Sequence, residues 1–271
     1  MTPIWIYWEQ GWDKAPGPIQ ECAASWERSN PEYKLCRLSS ENIESFVEFD
    51  DTFLKLTRNM RVQTKSDLFR LMLLKQHGGI WVDATLYCAR PLNAWLTLSA
   101  EQPVALFHNP GPDRLVSSWF IAAKPDNELI GIWLSEMLNF LETLPNPGSP
   151  SGLRKLVQKL LQQLWSTSPE KTLNWWRLLP HRILSITPYY CLHYCYNRLA
   201  LTDADFRNLS LSTQKLAAEP AHKFQFALAA KGNTRKPVSL AGIPVHKLNW
   251  RKLPSDRSIK ALLAEIGTQN A

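Results

Sequence analysis

The spacing of apolar residues changes from segment to segment along the chain, and that spacing alone outlines a layered fold. Ile4-Trp5-Ile6-Tyr7-Trp8 is an unbroken apolar run that stops at Glu9-Gln10-Gly11, the pattern of a strand covered on both faces. Pro16-Gly17-Pro18 then opens a segment, 19–29, whose apolar or small residues at 19, 22, 23 and 26 mark one helix face, closed by Asn30-Pro31. A second strand is predicted over Tyr33–Leu38, and Ser39-Ser40 can cap a short helix across Ile43–Phe49. Strand, helix, strand, helix in that order predicts an α/β domain built in layers.

Residues 64–85 carry the sharpest pattern. Ser66 reads as an N-cap, Asp67 falls in the first turn where a carboxylate is favoured, and Gly78-Gly79 follow His77 where a helix end needs a left-handed residue. Asp67 and Arg70 are three apart, so they share a face and can act as a pair. From Asp67 to His77 the helix rises about 15 Å at about 1.5 Å per residue. After the reversal, the strand Ile80–Val82 and its flanks descend about 13 Å at about 3.3 Å per residue. Asp83 is thereby expected back at the level of Asp67. Taken singly, Asp67–Arg70 reads as an exposed pair and Asp83 as a turn residue. Their convergence at a strand's C-terminal end, where open α/β folds place ligands, favours a shared site.

Composition agrees with one folded core. Of 271 residues 45% are hydrophobic and 20% charged, which excludes wholesale disorder, and the length suits a single large core. No run of about 18 apolar residues suits a membrane span, and the N-terminal run is too short for a signal peptide, so a cytoplasmic protein is expected. Five irregularly spaced cysteines fit a reducing compartment. Cys191, His193 and Cys195 can be read as a metal cluster. On a helix, however, 191 and 195 share a face while 193 points away, and no second cysteine pair accompanies them, so buried thiols are preferred.

The formal charge of +7 is unevenly placed. Residues 1–214 hold 21 basic and 21 acidic side chains, whereas residues 215–271 hold ten and three. The surplus is dispersed over 57 positions without a nucleic-acid motif, so no nucleic-acid partner is expected.

Ser66-Asp67-x-x-Arg70, Leu73-Leu74 and Gly78-Gly79-Ile80-Trp81-Val82-Asp83-Ala84-Thr85 resemble the core motif of bacterial capsular polysaccharide synthesis proteins. These are GT-A type glycosyltransferases related to the DXD-containing sugar transferases. Ile4-Trp5-x-Tyr7-Trp8, Cys22-x-x-Ser25-Trp26, Ser117-Ser118-Trp119-Phe120, Pro188-Tyr189-Tyr190 and His246-Lys247-Leu248 extend the resemblance from residue 4 to about 250. It implies a Rossmann-like central sheet flanked by helices, with residues 1–130 as the nucleotide-sugar-binding core. Residues 131–271 then form a mostly helical acceptor side and a basic segment completing the same domain.

The implied reaction passes a sugar, from a UDP-sugar donor by family analogy, to a hydroxyl of a saccharide or lipid-linked saccharide acceptor, with retention. Asp67 and Arg70 match positions that contact the donor's sugar and ribose. Asp83 matches the first DXD carboxylate, the ligand for Mn²⁺ or Mg²⁺ that neutralises a leaving diphosphate. The third position is Thr85, which brings a hydroxyl but no charge. Cations of His246-Lys247-x-x-x-Arg251-Lys252, Lys247 first, can take over part of that neutralisation, or rest on an anionic membrane surface. Of twelve tryptophans, Trp8 at the end of the first strand is expected to wall the base or ribose. Trp26, Trp133 and Trp165 are expected in the core, and Trp175-Trp176 and Tyr189-Tyr190 are open between acceptor and membrane contacts. The missing second aspartate leaves one rival, a catalytically silent carbohydrate- or membrane-surface-binding protein.

Overall fold

The structure is a computed structural model and describes residues 1–145, 150–229, 239–253 and 257–268. In chain order its elements are β1 (Pro3–Tyr7), α1 (Gly17–Ser29), β2 (Lys34–Leu38), α2 (Asp51–Thr57), α3 (Val62–His77), β3 (Gly79–Asp83) and β4 (Leu86–Cys88). These are followed by β5 (Val104–Gly111), β6 (Arg114–Ala123), α4 (Glu128–Glu142), α5 (Gly152–Trp165) and α6 (Pro169–Thr172). Last come α7 (Cys191–Thr202), α8 (Ala204–Leu211), β7 (Gln214–Ala217), α9 (Glu219–Ala229), β8 (Val245–Lys247) and α10 (Ile259–Thr268).

Six strands form a mixed sheet in the order β2-β1-β3-β6-β5-β7, with β1 parallel to β2 and β3, and β6 antiparallel to both of its neighbours. The apolar N-terminal run is continuous because both faces of the sheet are covered. Ile4 and Ile6 point into one core layer with Ile19, Trp26, Val82 and Phe120. Trp5 and Tyr7 point into the other, with Leu68, Leu71, Trp81, Trp133 and Cys195. The expected α/β sheet with flanking helices is therefore present, and β7, from the mostly helical second half, extends it.

Two expected boundaries move. α3 begins at Val62 after Arg61, not at Ser66, so Ser66 and Asp67 lie one turn inside the helix. The extension hides in the sequence because Gln63, Thr64 and Lys65 are polar, although Thr64 is buried. The helix expected over 43–49 is a single 3₁₀ turn, Ile43–Ser45. The Asn42 side chain accepts from Ser39 N at 2.8 Å and closes that turn. A helix forms further on, where the Asp50 side chain caps α2 by accepting from Phe53 N at 2.7 Å.

Two features aim the chain at one edge of the sheet. The first is the α3–β3 reversal at Gly78 (φ 64°) and Gly79 (φ 93°), both in the left-handed region. A Cβ on Gly79 would stand 2.5 Å from the Pro3 carbonyl oxygen, and the Gly78 carbonyl accepts from Trp5 Nε1 at 2.8 Å. The second is a separate two-stranded sheet in which β8 pairs antiparallel with β4, Leu86 opposite Lys247. Leu248 N also donates to Thr85 O at 3.0 Å, so the late segment crosses back to the end of β3. Among the described residues no helix is long and apolar enough to cross a membrane.

Gly79→Ala combines backbone strain with a clash against rigid backbone, and should lower unfolding free energy in urea by at least about 2 kcal/mol. Gly17→Ala, where nothing lies within 4 Å of the added Cβ, should change it by about 0.5 kcal/mol or less.

Candidate active site

Arg70 is the centre of the arrangement. On the third turn of α3 and only 4% exposed, it cannot lose its charge, so its surroundings must supply acceptors. Nη2 lies 3.0 Å from Asp67 Oδ1 and 3.5 Å from Asp83 Oδ1, Nε donates to Ser66 O at 3.2 Å, and Nη1 donates to Ser118 O on β6. The guanidinium also covers the Trp81 ring at 4.9 Å. The sheet-edge convergence of Asp67, Arg70 and Asp83 expected from helix and strand rises is thus met.

Asp83 faces a second cation. Lys247 Nζ donates to Asp83 Oδ2 at 2.6 Å and to Thr85 Oγ1 at 2.7 Å, while Trp81 Nε1 donates to Asp83 Oδ1 at 3.1 Å. Burial pushes the Asp83 carboxyl up, but the Lys247 ammonium, the Arg70 guanidinium and the hydrogen bonds outweigh it and hold its pKa at about 2. Asp67 goes the other way. Burial raises it to about 6 against the pull of Arg70, and the Asp83 charge adds to the rise. Two carboxylates around one guanidinium therefore titrate far apart.

The cluster separates two hollows. One, of about 380 Å³, is lined by Trp8, Trp250, Arg251, Arg61, Thr85 and Ser66. Trp8 and Trp250 meet edge to face with centroids 6.0 Å apart, and Arg251 covers Trp250 at 4.5 Å. The other, of about 390 Å³, is lined by Asp67, Lys247, Arg114, Tyr190, His193 and His222, among others. Gln63, Arg70 and Asp83 border both. All six residues singled out in the sequence, Trp8, Asp67, Arg70, Asp83, Thr85 and Lys247, lie on one hollow or the other.

The second hollow holds groups that the sequence reading missed. Arg114 covers Tyr190 at 4.0 Å and donates to Asp113 Oδ1 at 3.0 Å. Asp113 is itself buried and accepts from Tyr194 Oη at 2.6 Å, and Asn197 Nδ2 donates to the Asp113 carbonyl at 2.7 Å. The β5–β6 turn is thus fastened to α7, which fixes Arg114. His193, also on α7, is buried, and its Nδ1 has no hydrogen-bond partner among the described residues. Burial, then Arg114 and Arg70, push its pKa well below the usual imidazole value, so it is neutral. The signal was present: Cys191 and Cys195 are buried thiols in the core, and residue 193 points the other way, into the hollow. Trp175 is fully buried and Trp176 donates to Glu136 at 3.1 Å, so this pair is structural.

The family model described as capsular polysaccharide synthesis protein matches residues 1–147, a stretch that includes β1, all of α3 and the Asp83 turn. The chain belongs to that family. Within the family frame, curated relatives carry glycosyltransferase names. The O-glycosyltransferase braB of Annulohypoxylon truncatum is 28% identical over 150 residues, 48% of this chain and 35% of the relative. The initiation-specific alpha-1,6-mannosyltransferase of Candida albicans is 24% identical over 165 residues, 58% of this chain and 41% of the relative. The matches thus span well under half the length of these relatives. The solved glycosyltransferase GlyE of Streptococcus pneumoniae TIGR4 aligns with 99% of this chain and 64% of its own at 11% identity, with a TM-score of 0.44.

The Mn²⁺ or Mg²⁺ expected for this family member meets donors that are already taken. Both Asp83 oxygens and the Thr85 hydroxyl are engaged by cationic or N–H donors of the chain, and a hard divalent ion needs several free oxygen ligands. Among the described residues no group of three or more His, Cys, Asp or Glu side chains could hold a metal. As arranged, the residues do not fit a divalent cation.

The raised Asp67 pKa gives a signed prediction. A carboxyl that titrates at about 6 when folded and near 3.8 otherwise holds its proton more tightly in the folded state. The parent therefore loses stability as pH rises between those values. Asp67→Asn does not titrate. Urea unfolding of both proteins should show the variant gaining on the parent from pH 4 to 6, with a constant difference above pH 6.

Proposed function

We propose that the chain is a glycosyltransferase that moves a sugar from a nucleotide-diphosphate sugar, a UDP-sugar, to a hydroxyl of a saccharide acceptor. The setting proposed is synthesis of a bacterial capsule or another surface polysaccharide. One observation carries the reading: a buried guanidinium, an ammonium and two carboxylates stand at the junction of an aromatic hollow and a polar one. Indole faces suit a nucleobase, so Trp8 and Trp250 take the nucleotide. The diphosphate then lies across Arg70, Lys247 and Arg251, and the sugar enters the second hollow beside Asp67.

The chemistry assigned to these residues is electrostatic. As the bond from the sugar's anomeric carbon to the diphosphate oxygen breaks, negative charge grows on the phosphate, and prearranged cations stabilise it without reorganising. An ammonium has three donors. Asp83 and Thr85 take two and orient the third toward a phosphate oxygen. Asp83 and Thr85 thus serve as positioning residues for Lys247, in place of the metal-ligand role expected for the carboxylate. Asp67, once ionised, accepts hydrogen bonds from sugar hydroxyls. With retention, the acceptor oxygen bonds to the anomeric carbon on the face the diphosphate leaves, and the acceptor proton passes to the departing phosphate oxygen. A second reading, inversion with His193 as base, is favoured by its unpartnered Nδ1. The anomeric configuration of the product, read by NMR, separates the two.

Incubation with a panel of nucleotide sugars should release nucleotide from at least one, and release from none would leave only a silent binding protein. Lys247→Ala should lower kcat/KM by about 100-fold or more, the scale of one lost charge-stabilising donor. Excess EDTA should change the rate by less than about threefold, since the cations belong to the chain. Loss of activity in EDTA, restored by Mn²⁺, would overturn the assignment to Lys247.

A further inference from the structure

α5 is apolar on two faces, and only one is used. Val157, Leu161 and Trp165 pack against Trp175, Ile186 and Tyr194. On a separate stripe, Leu153, Leu156, Leu160 and Leu164 recur at three- and four-residue spacing and stand 75%, 55%, 56% and 62% exposed. Four exposed leucines in line on one helix form an apolar patch of the kind that marks an interaction surface. Lys155 and Lys159 run along its edge, both exposed, with stems long enough to lie on an apolar layer while their ammonium groups reach outward.

The chain that follows packs on another side of α5. Arg154 donates to Ser185 O, Gln158 donates to Thr187 O, and Tyr189 N donates to Gln162 Oε1 at 3.4 Å, so segment 185–189 lies along the helix. The turn just before it exposes Leu178, Leu179 and Ile183. Its other exposed side chains include Arg177 and Arg182. Over residues 150–190 there are six basic side chains and one acidic, Glu170. At the far end of the segment, Tyr189 is exposed and lines the second hollow.

We propose that the leucine stripe of α5, edged by Lys155 and Lys159, docks in the plane of an anionic lipid bilayer. Apolar side chains flanked by lysine and arginine, with almost no acid nearby, match the boundary between acyl chains and negative headgroups. The protein partner that would equally cover leucines, a second copy of the same chain, would have to bring two clusters of like charge together. In the basic C-terminal segment, Lys247 is held by Asp83 and Arg251 covers Trp250. The docking itself does not depend on the transfer reading.

The test is flotation with vesicles of phosphatidylcholine alone or with phosphatidylglycerol added. The parent should bind the anionic vesicles at least about tenfold better than the neutral ones, and lose that preference at high salt. Leu156→Glu/Leu160→Glu should cut binding about tenfold or more with unchanged circular dichroism. Should that variant melt early, Lys155→Glu/Lys159→Glu, on the exposed edge, should cut binding to anionic vesicles alone. Failure of the parent to float, equal flotation of parent and variants, or a parent dimer in sedimentation velocity that the leucine variant abolishes would each overturn the proposal. Because flotation needs no donor, its outcome is independent of whether any nucleotide sugar is turned over.

Discussion

A guanidinium that cannot be neutralised sits almost out of reach of water between a helix and two strands, and the rest of the site is arranged to make that tolerable. Removing such a charge from solvent costs several kcal/mol unless nearly every N–H finds an acceptor. Arg70 finds them on α3, β3 and β6 at once. The requirement works in reverse as well: each acceptor is held by the same residue. A glycine reversal that lets β3 descend beside α3, and a β6 carbonyl that faces inward, are conditions for burying Arg70, and together they set where Asp67 and Asp83 stand.

The two carboxylates that satisfy Arg70 are not equivalent, and the difference comes from one further contact. Asp83 has Lys247 in addition, and stays ionised at any physiological pH; Asp67 has only a share of the guanidinium and titrates near 6. One supports a cation, while the other can change its hydrogen-bonding character under mild acid. Such divergence between neighbouring acids is common where chemistry is done, although structural ion pairs produce it too.

Legibility followed the range of the interaction. Asp67, Arg70 and Asp83 were readable because they lie within 17 positions, where helix and strand rises fix relative height by arithmetic. Lys247 was readable because the resemblance reaches His246-Lys247-Leu248 and Thr85 in place of a second carboxylate called for a neighbouring cation. The site roles of Arg114 and His193 were not, because their place depends on the β5–β6 turn being fastened to α7 through Asp113, Tyr194 and Asn197, contacts some 80 residues apart. The start of α3 was misplaced for a local reason: a turn of polar residues gives periodicity nothing to register, and tertiary packing of Thr64 decides it. The metal expectation came from the likeness of Asp83 to a DXD carboxylate, while in the structure both Asp83 oxygens face cationic or N–H donors of the chain.

The pairing of β4 with β8 has a consequence for how the molecule is made. Asp83 and Lys247 are 164 positions apart, and closing so long a loop carries an entropic cost that only the finished contacts offset. During synthesis the sheet from β1 to β6 and helix α3 can be complete, with Arg70 already buried, long before residue 247 leaves the ribosome. In that interval Asp83 lacks Lys247, one of its three partners, and the two hollows share an unguarded border. The charged junction therefore matures last, on a scaffold that no longer needs it to fold, which makes assembly of the site separable in time from assembly of the core.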